Sequence, residues 1–235
     1  MRPHFTALVL AAGKGRRMGS AVEKQFLELG GRPLIAYTLD AFEQSDAVDE
    51  IILVTEEARI AYCRTEIVEK YGYAKVSRIV AGGAERYDSV YRGLLSCENA
   101  DYVYIHDGAR IFITDEILKR GREAVLLHGT AVAGMPAKDT VKIADETGLV
   151  TATPDRSKVW IIQTPQIFRY DIVREAYDAL QRSEKTGITD DATVVEQFGS
   201  PGKNTVYLYP ADYRNIKITT PEDLEIAAAW MKTSI

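Results

Sequence analysis

Short aliphatic runs alternate along the chain with stretches of helical period. Thr6–Leu10, Glu50–Thr55, Ser77–Ala81, Tyr102–His106 and Thr130–Met135 have the length and composition of strands. Between them, Ile35, Leu39 and Phe42 recur at i, i+4, i+7. Ile60, Cys63 and Ile67 follow i, i+3, i+7, and Tyr87, Val90, Tyr91 and Leu94 follow i, i+3, i+4, i+7. Each set marks the buried stripe of a helix. Strands as continuously apolar as Glu50–Thr55 need cover on both faces, and parallel neighbours need helical crossovers that supply it. The pattern predicts an α/β fold with a single doubly wound, mostly parallel sheet of Rossmann-like type, one domain over 1–235.

From Asp139 to Val159 the pattern changes to strand-like alternation on either side of the turn Asp145-Glu146-Thr147-Gly148. This predicts a protruding β-hairpin arm over 139–159. A two-stranded hairpin is marginal alone, so a second copy of the chain is the economical surface for it to pack on. Helical patterns return at Tyr170–Ser183 and Asp190–Phe198. A last helix opens with Thr220, Pro221 and Asp223 as N-cap, first-turn proline and acidic third position.

Composition narrows the function. The hydrophobic fraction of 46% and charged fraction of 27% are those of a globular chain, not a disordered or fibrous one. A formal net charge of -5 provides no general field for nucleic acid, so an anion site must be a local cluster. Cys63 and Cys97 form no CxxC pair and read as core residues of a reduced, cytoplasmic protein. The apolar run Phe5 to Ala12 is too short to cross a membrane, and its cations follow it, so it reads as a buried strand.

Sheets of this type bind ligands beyond the carboxyl ends of their strands, where three polar loops fall: AAGKGRRMG, AGGAERYDS and HDGARIF. In the first, Ala11, Ala12, Gly13 and Gly15 clear space for backbone N–H groups to approach phosphate, and Lys14, Arg16, Arg17 and Lys24 supply charge. The spacing fits neither the common NTPase phosphate loop nor the dinucleotide fingerprint, whose third glycine would fall at Met18. A triphosphate is the expected ligand. Asp107, beyond a buried strand, suits a hard cation such as Mg²⁺, and equally suits a turn or helix cap. His106 reads as a structural strand-end residue, and Asp190-Asp191 as a helix cap.

The ordered set AAGKGRRMG, KQF, AGGAERYDSV, HDGAR, DRSKVWIIQTPQIF, TDDA and NIKIT resembles the 2-C-methyl-D-erythritol 4-phosphate cytidylyltransferases from about Phe5 to Ala229. The resemblance implies CTP and a small phosphorylated polyol as substrates and a divalent cation, Mg²⁺ or another, as cofactor. It assigns Arg17, Lys24, Arg156 and Lys217 to catalysis. It assigns Ala11, Ala12, Gly13, Gly15, Gly82, Gly83 and Ser89 to the nucleotide, and Asp107 to metal and substrate. Arg110, Thr140, Thr164 and Thr189 would surround the polyol phosphate. Thr140 and Arg156 would reach the site from the other subunit of a homodimer, by way of the arm.

Three positions depart from the family pattern: Glu23 and Ile111 stand where proline is common, and Ala84 where some members are acidic. Glu23 is expected to put a carboxylate beside Lys24 and soften its hold on phosphate. Two alternatives stand beside the resemblance: a ribitol-5-phosphate cytidylyltransferase, and a nucleotide-binding regulatory protein without catalysis. No convincing general base is present. A phosphate monoester, already ionised at neutral pH, does not need one, and its transfer chemistry rests on positioning and charge neutralisation.

Overall fold

The computed structural model describes residues 2–13 and 23–233. The strands, in chain order, are β1 (Phe5–Ala11), β2 (Glu28–Leu29), β3 (Arg32–Pro33), β4 (Glu50–Thr55), β5 (Val76–Ala81), β6 (Tyr102–Asp107), β7 (Thr130–Pro136), β8 (Ile143–Ala144), β9 (Val150–Ala152), β10 (Trp160–Arg169) and β11 (Leu208–Pro210). The helices are α1 (Leu34–Gln44), α2 (Ile60–Tyr62), α3 (Arg86–Leu95), α4 (Asp115–His128), α5 (Tyr170–Leu180), α6 (Asp191–Phe198) and α7 (Pro221–Thr233). A π-helical stretch, Cys63–Glu69, continues α2.

Seven strands form one sheet in the order β11-β7-β10-β6-β1-β4-β5. The β1, β4, β5 and β6 ladders are parallel, as is β7 with β11, while β10 runs antiparallel to both β6 and β7. The mostly parallel sheet expected from the apolar runs is present. β10 and the short edge strand β11 are the strands of this sheet that the runs did not predict. In β10, Gln163, Thr164, Pro165 and Gln166 break the apolar signal, yet the three polar side chains are buried.

Alternation along the strands sorts the core into two layers. Phe5, Ala7 and Val9 pack with Ile35, Leu39 and Phe42 of α1 and with Ile117, Leu118 and Val125 of α4. On the opposite face, Leu8, Ile52, Val54 and Ile105 pack with Val90 and Leu94 of α3 and with Val173, Ala176 and Tyr177 of α5. The helical stripes of Ile35, Leu39 and Phe42 and of Val90 and Leu94 are therefore buried as their spacing predicts. At α7 the Asp223 N–H donates to Thr220 Oγ1 (3.3 Å) and the Thr220 N–H to Asp223 Oδ2 (2.9 Å), a reciprocal capping box.

β8 and β9 pair antiparallel and form a separate hairpin. Its turn is closed by Asp145, which accepts from the N–H groups of Thr147 (2.9 Å) and Leu149 (3.1 Å), with Gly148 at φ 87°. The hairpin buries little: Ile143, Leu149 and Val150 are 52%, 69% and 58% exposed.

Candidate functional site

From β1 the chain crosses to β4 and β5 on one side and then returns to β6 on the other. Sheets of this kind leave a crevice at the carboxyl ends of the strands where the order reverses, and Ala12 and Gly13 after β1 and Ala109 after β6 line one here. Two lobes open there, of about 390 and 540 Å³. Arg86, Asp107 and Lys217 line both and form the wall they share.

The first lobe is lined by Ala12, Gly13, Lys24, Gly83 and Ser89. Gly82 and Gly83 pack too closely for side chains: a Cβ would lie 2.5 Å from the Ala12 Cβ at Gly82, and 2.3 Å from the Asp88 Cβ at Gly83. Ser89 Oγ accepts from the Gly83 N–H (3.0 Å) and donates to the Glu85 carbonyl (3.2 Å), fixing the loop. Ala11, at the end of β1, is buried, and its carbonyl accepts from Gln25 Nε2. Gly15 and Arg17, with Lys14 and Arg16, lie outside the described residues.

The shared wall is a charge cluster. Asp107 Oδ2 lies 2.8 Å from Lys217 Nζ and 3.8 Å from Arg110 Nε, and Oδ1 lies 3.3 Å from Arg86 Nε. Burial pushes the Asp107 carboxyl upward, but Arg86, Lys217 and Arg110 outweigh it and hold it far below the usual carboxylate range. Arg86 also forms a bidentate pair with Asp191, at 2.9 and 2.8 Å. Asp191 is fully buried and accepts a further bond from the Tyr177 hydroxyl. Sequence reasoning missed Arg86. Its partner lies 105 positions away, and only its place in AGGAERYDSV pointed toward the site.

His106 is a structural residue, as its strand-end position predicts. It is fully buried, with Nε2 3.2 Å from the Arg110 carbonyl and Nδ1 3.1 Å from Thr164 Oγ1. Thr164 Oγ1 also accepts from the Asp107 N–H (3.1 Å), so its proton is directed to His106 Nδ1 and the ring proton to Arg110. Burial pushes the imidazole down to about 3, against the opposing pull of Asp107. The ring is neutral at physiological pH and has no free nitrogen for acid-base work.

The second lobe is lined by Arg110, Thr164, Gln166 and Thr189 besides the shared wall. Arg110 donates to the Asn215 carbonyl (2.7 Å), which fixes its guanidinium. Fully buried Asn215 donates to Gln163 Oε1 (3.0 Å) and to the Thr164 carbonyl (2.8 Å), tying the segment that carries Lys217 to β10. That segment is a loop rather than an exposed strand, and it turns Lys217 toward Asp107. Asp190 caps α6 as predicted, accepting from the Thr193 N–H (2.9 Å) and from Gln166 Nε2 (2.8 Å).

Two predicted residues stand apart from the cleft of their own chain. Thr140 and Arg156 belong to the arm and line neither lobe. Arg156 is exposed and donates to the Lys138 carbonyl (2.8 Å). Glu23 also differs from expectation. Its carboxylate is taken up by Arg59, at 3.0 and 2.7 Å, and is not left to compete for Lys24.

Among the described residues no group of three or more His, Cys, Asp or Glu is placed to hold a metal. Asp107, ionised and at the junction of the lobes, does fit an ion that takes most of its ligands from phosphate and water.

A family model described as 2-C-methyl-D-erythritol 4-phosphate cytidylyltransferase matches residues 5–233. The protein of that name from Lachnospira eligens is 48% identical over 228 residues, covering 97% of this chain and 99% of its own length. That from Geotalea uraniireducens is 47% identical, covering 97% of each chain. The crystal structure of 4-diphosphocytidyl-2C-methyl-D-erythritol synthase from Anaerococcus prevotii superposes with a TM-score of 0.86 at 33% identity, covering 98% of this chain and 96% of that one. With sequence and fold agreeing over nearly the whole length, the chain belongs to the 2-C-methyl-D-erythritol 4-phosphate cytidylyltransferase family of nucleotidyltransferases.

Proposed function

We propose that the cleft joins CTP to 2-C-methyl-D-erythritol 4-phosphate, giving 4-diphosphocytidyl-2-C-methyl-D-erythritol and pyrophosphate for isoprenoid precursor synthesis. The observation that carries this reading is the pair of lobes meeting at Asp107 and Lys217. A nucleotide in the first lobe and a phosphorylated polyol in the second bring the attacking oxygen and the α-phosphorus together at that wall.

In this reading Ala11, Ala12, Gly13, Gly15, Gly82, Gly83 and Ser89 line the cytidine and its phosphates, while Arg17 and Lys24 grip the triphosphate. Arg110, Thr164 and Thr189 bound the polyol phosphate. The Thr164 hydroxyl acts by holding His106 and the Asp107 backbone in place. A 4-phosphate oxygen forms a bond to the α-phosphorus as the α–β bridge breaks and its electron pair leaves with pyrophosphate. Lys217 neutralises charge building on the α-phosphate, and no base is needed. A divalent cation, Mg²⁺ in the simplest case, would be held by Asp107 with the phosphates and would screen their charge.

The arm makes the protein a homodimer in this reading. Ile143, Leu149 and Val150 present an apolar surface that a second copy would cover, and Thr140 and Arg156 would reach that copy's cleft. No described helix is long and apolar enough to cross a membrane, and a cytoplasmic location accords with two free, buried cysteines. The test is pyrophosphate release with each of the four common NTPs against methylerythritol 4-phosphate and ribitol 5-phosphate. Release with CTP and methylerythritol 4-phosphate supports the assignment. Preference for ribitol 5-phosphate, or no release at all, refutes it.

A further inference from the structure

Lys24 opens a 3₁₀ element of one turn, Lys24–Phe26, that lines the first lobe. So short an element cannot fix a lysine by itself, and its position depends on what clasps the turn. From within the turn, Gln25 donates to the Ala11 carbonyl at the end of β1. A further clasp among the described residues is Arg59, from the connection that follows β4. Its guanidinium grips Glu23, the residue before the turn, through two bonds of 3.0 and 2.7 Å. It also lies over the Phe26 ring, the last residue of the turn, at 5.7 Å, and over Tyr62 at 5.8 Å. Phe26 and Tyr62 themselves meet edge to face at 5.5 Å. One side chain thus holds both ends of the turn that carries Lys24.

We propose that Arg59 is a positioning residue for nucleotide binding, which through Glu23 and Phe26 sets where the Lys24 ammonium meets the triphosphate. The inference rests on the proposed role of the first lobe as the CTP site. Its geometry favours a real coupling. The pair is bidentate and only a third or less exposed, at 33% and 16%, so solvent weakens it less than an open surface pair. The Arg59 guanidinium holds the Glu23 carboxyl below its ordinary range, and the pair is therefore formed at neutral pH. Glu23 sits at φ -62° and ψ 136°, an extended entry to the turn. Here a side-chain bond anchors that entry.

The experiment is a double-mutant cycle on steady-state kinetics of the wild-type reaction, with KM determined for each substrate. Arg59→Ala is expected to raise KM for CTP about fivefold, leaving KM for methylerythritol 4-phosphate within about twofold. Glu23→Ala should give a similar rise. The double variant should be no worse than either single one, since each change removes the same contact. Arg59→Lys, keeping charge without the fork, should recover part of the loss.

An unchanged KM for CTP in Arg59→Ala would overturn the proposal, as would losses that multiply in the double variant. A loss spread equally over both substrates would overturn it too, because it would mean general disturbance of the fold. If the wild-type protein released no pyrophosphate from CTP, the functional reading itself would fail. An active wild type with an indifferent Arg59 sinks only this inference.

Discussion

The cluster around Asp107 and the arm at 139–159 are opposite solutions to holding polar residues in place. At Asp107, partners come from the chain itself: three cations converge on one carboxylate, and Arg86 passes the connection on to buried Asp191. In the arm the polar groups of the turn bond mainly to their own neighbours, and the apolar side chains face outward. The first arrangement is built from side chains of one chain. The second leaves Ile143, Leu149 and Val150 exposed on the protomer. The comparison teaches that charge in the cleft should be costly to alter, while the arm should be tolerant until association is measured.

The largest expected effect falls on the buried side. Arg86→Ala leaves Asp191 buried and without its cation, which should cost about 3 kcal/mol of stability, measured by urea denaturation. A loss below about 0.5 kcal/mol would remove the contrast with the arm. Next comes chemistry rather than folding. Lys217→Ala, and likewise Lys24→Ala or Arg17→Ala, should lower turnover about 10²-fold or more with CTP and methylerythritol 4-phosphate, and near-normal rates would unseat these residues from catalysis.

Smaller per pH unit is the effect set by His106. Its folded value of about 3 lies below the unfolded value of about 6.5, so the unfolded chain binds the extra proton between these limits. The His106 contribution therefore weakens stability as pH falls from about 6.5 toward 3, by about 1.4 kcal/mol per unit, and is constant above that window. NMR of the His106 ring should show no titration between pH 5 and 8. A midpoint near 6.5 would contradict its buried, neutral state.

The smallest effect on the protomer itself is expected in the arm. Leu149→Asp should change protomer stability by less than about 0.5 kcal/mol, yet sedimentation should show the dimer dissociating. A dimer unaffected by this change would break the proposed role of the arm.

How much of this was legible in the sequence follows the same division. Strands such as Glu50–Thr55 and the stripes of α1 and α3 announced themselves, because burial on both faces leaves an unmistakable apolar run. β10 did not, since its buried Gln163, Thr164 and Gln166 are satisfied by partners far along the chain: Asp212 and Asn215 for Gln163, His106 for Thr164, and Asp190 and the Ala192 N–H for Gln166. A pattern reader sees only polar residues there. Lys24, Asp107, Arg110, Thr189 and Lys217 were identified by motif and do line the cleft. Motif reading gave no sign that Glu23 would be claimed by Arg59, because that pairing joins two loops through space.

A crystal structure of the protein with CTP and Mg²⁺ tests the central claim most directly. The account predicts cytosine against Gly82, Gly83 and Ser89, the triphosphate beside Lys24, and the α-phosphate turned to the wall of Asp107 and Lys217. Nucleotide bound in the second lobe, or away from both lobes, would contradict it.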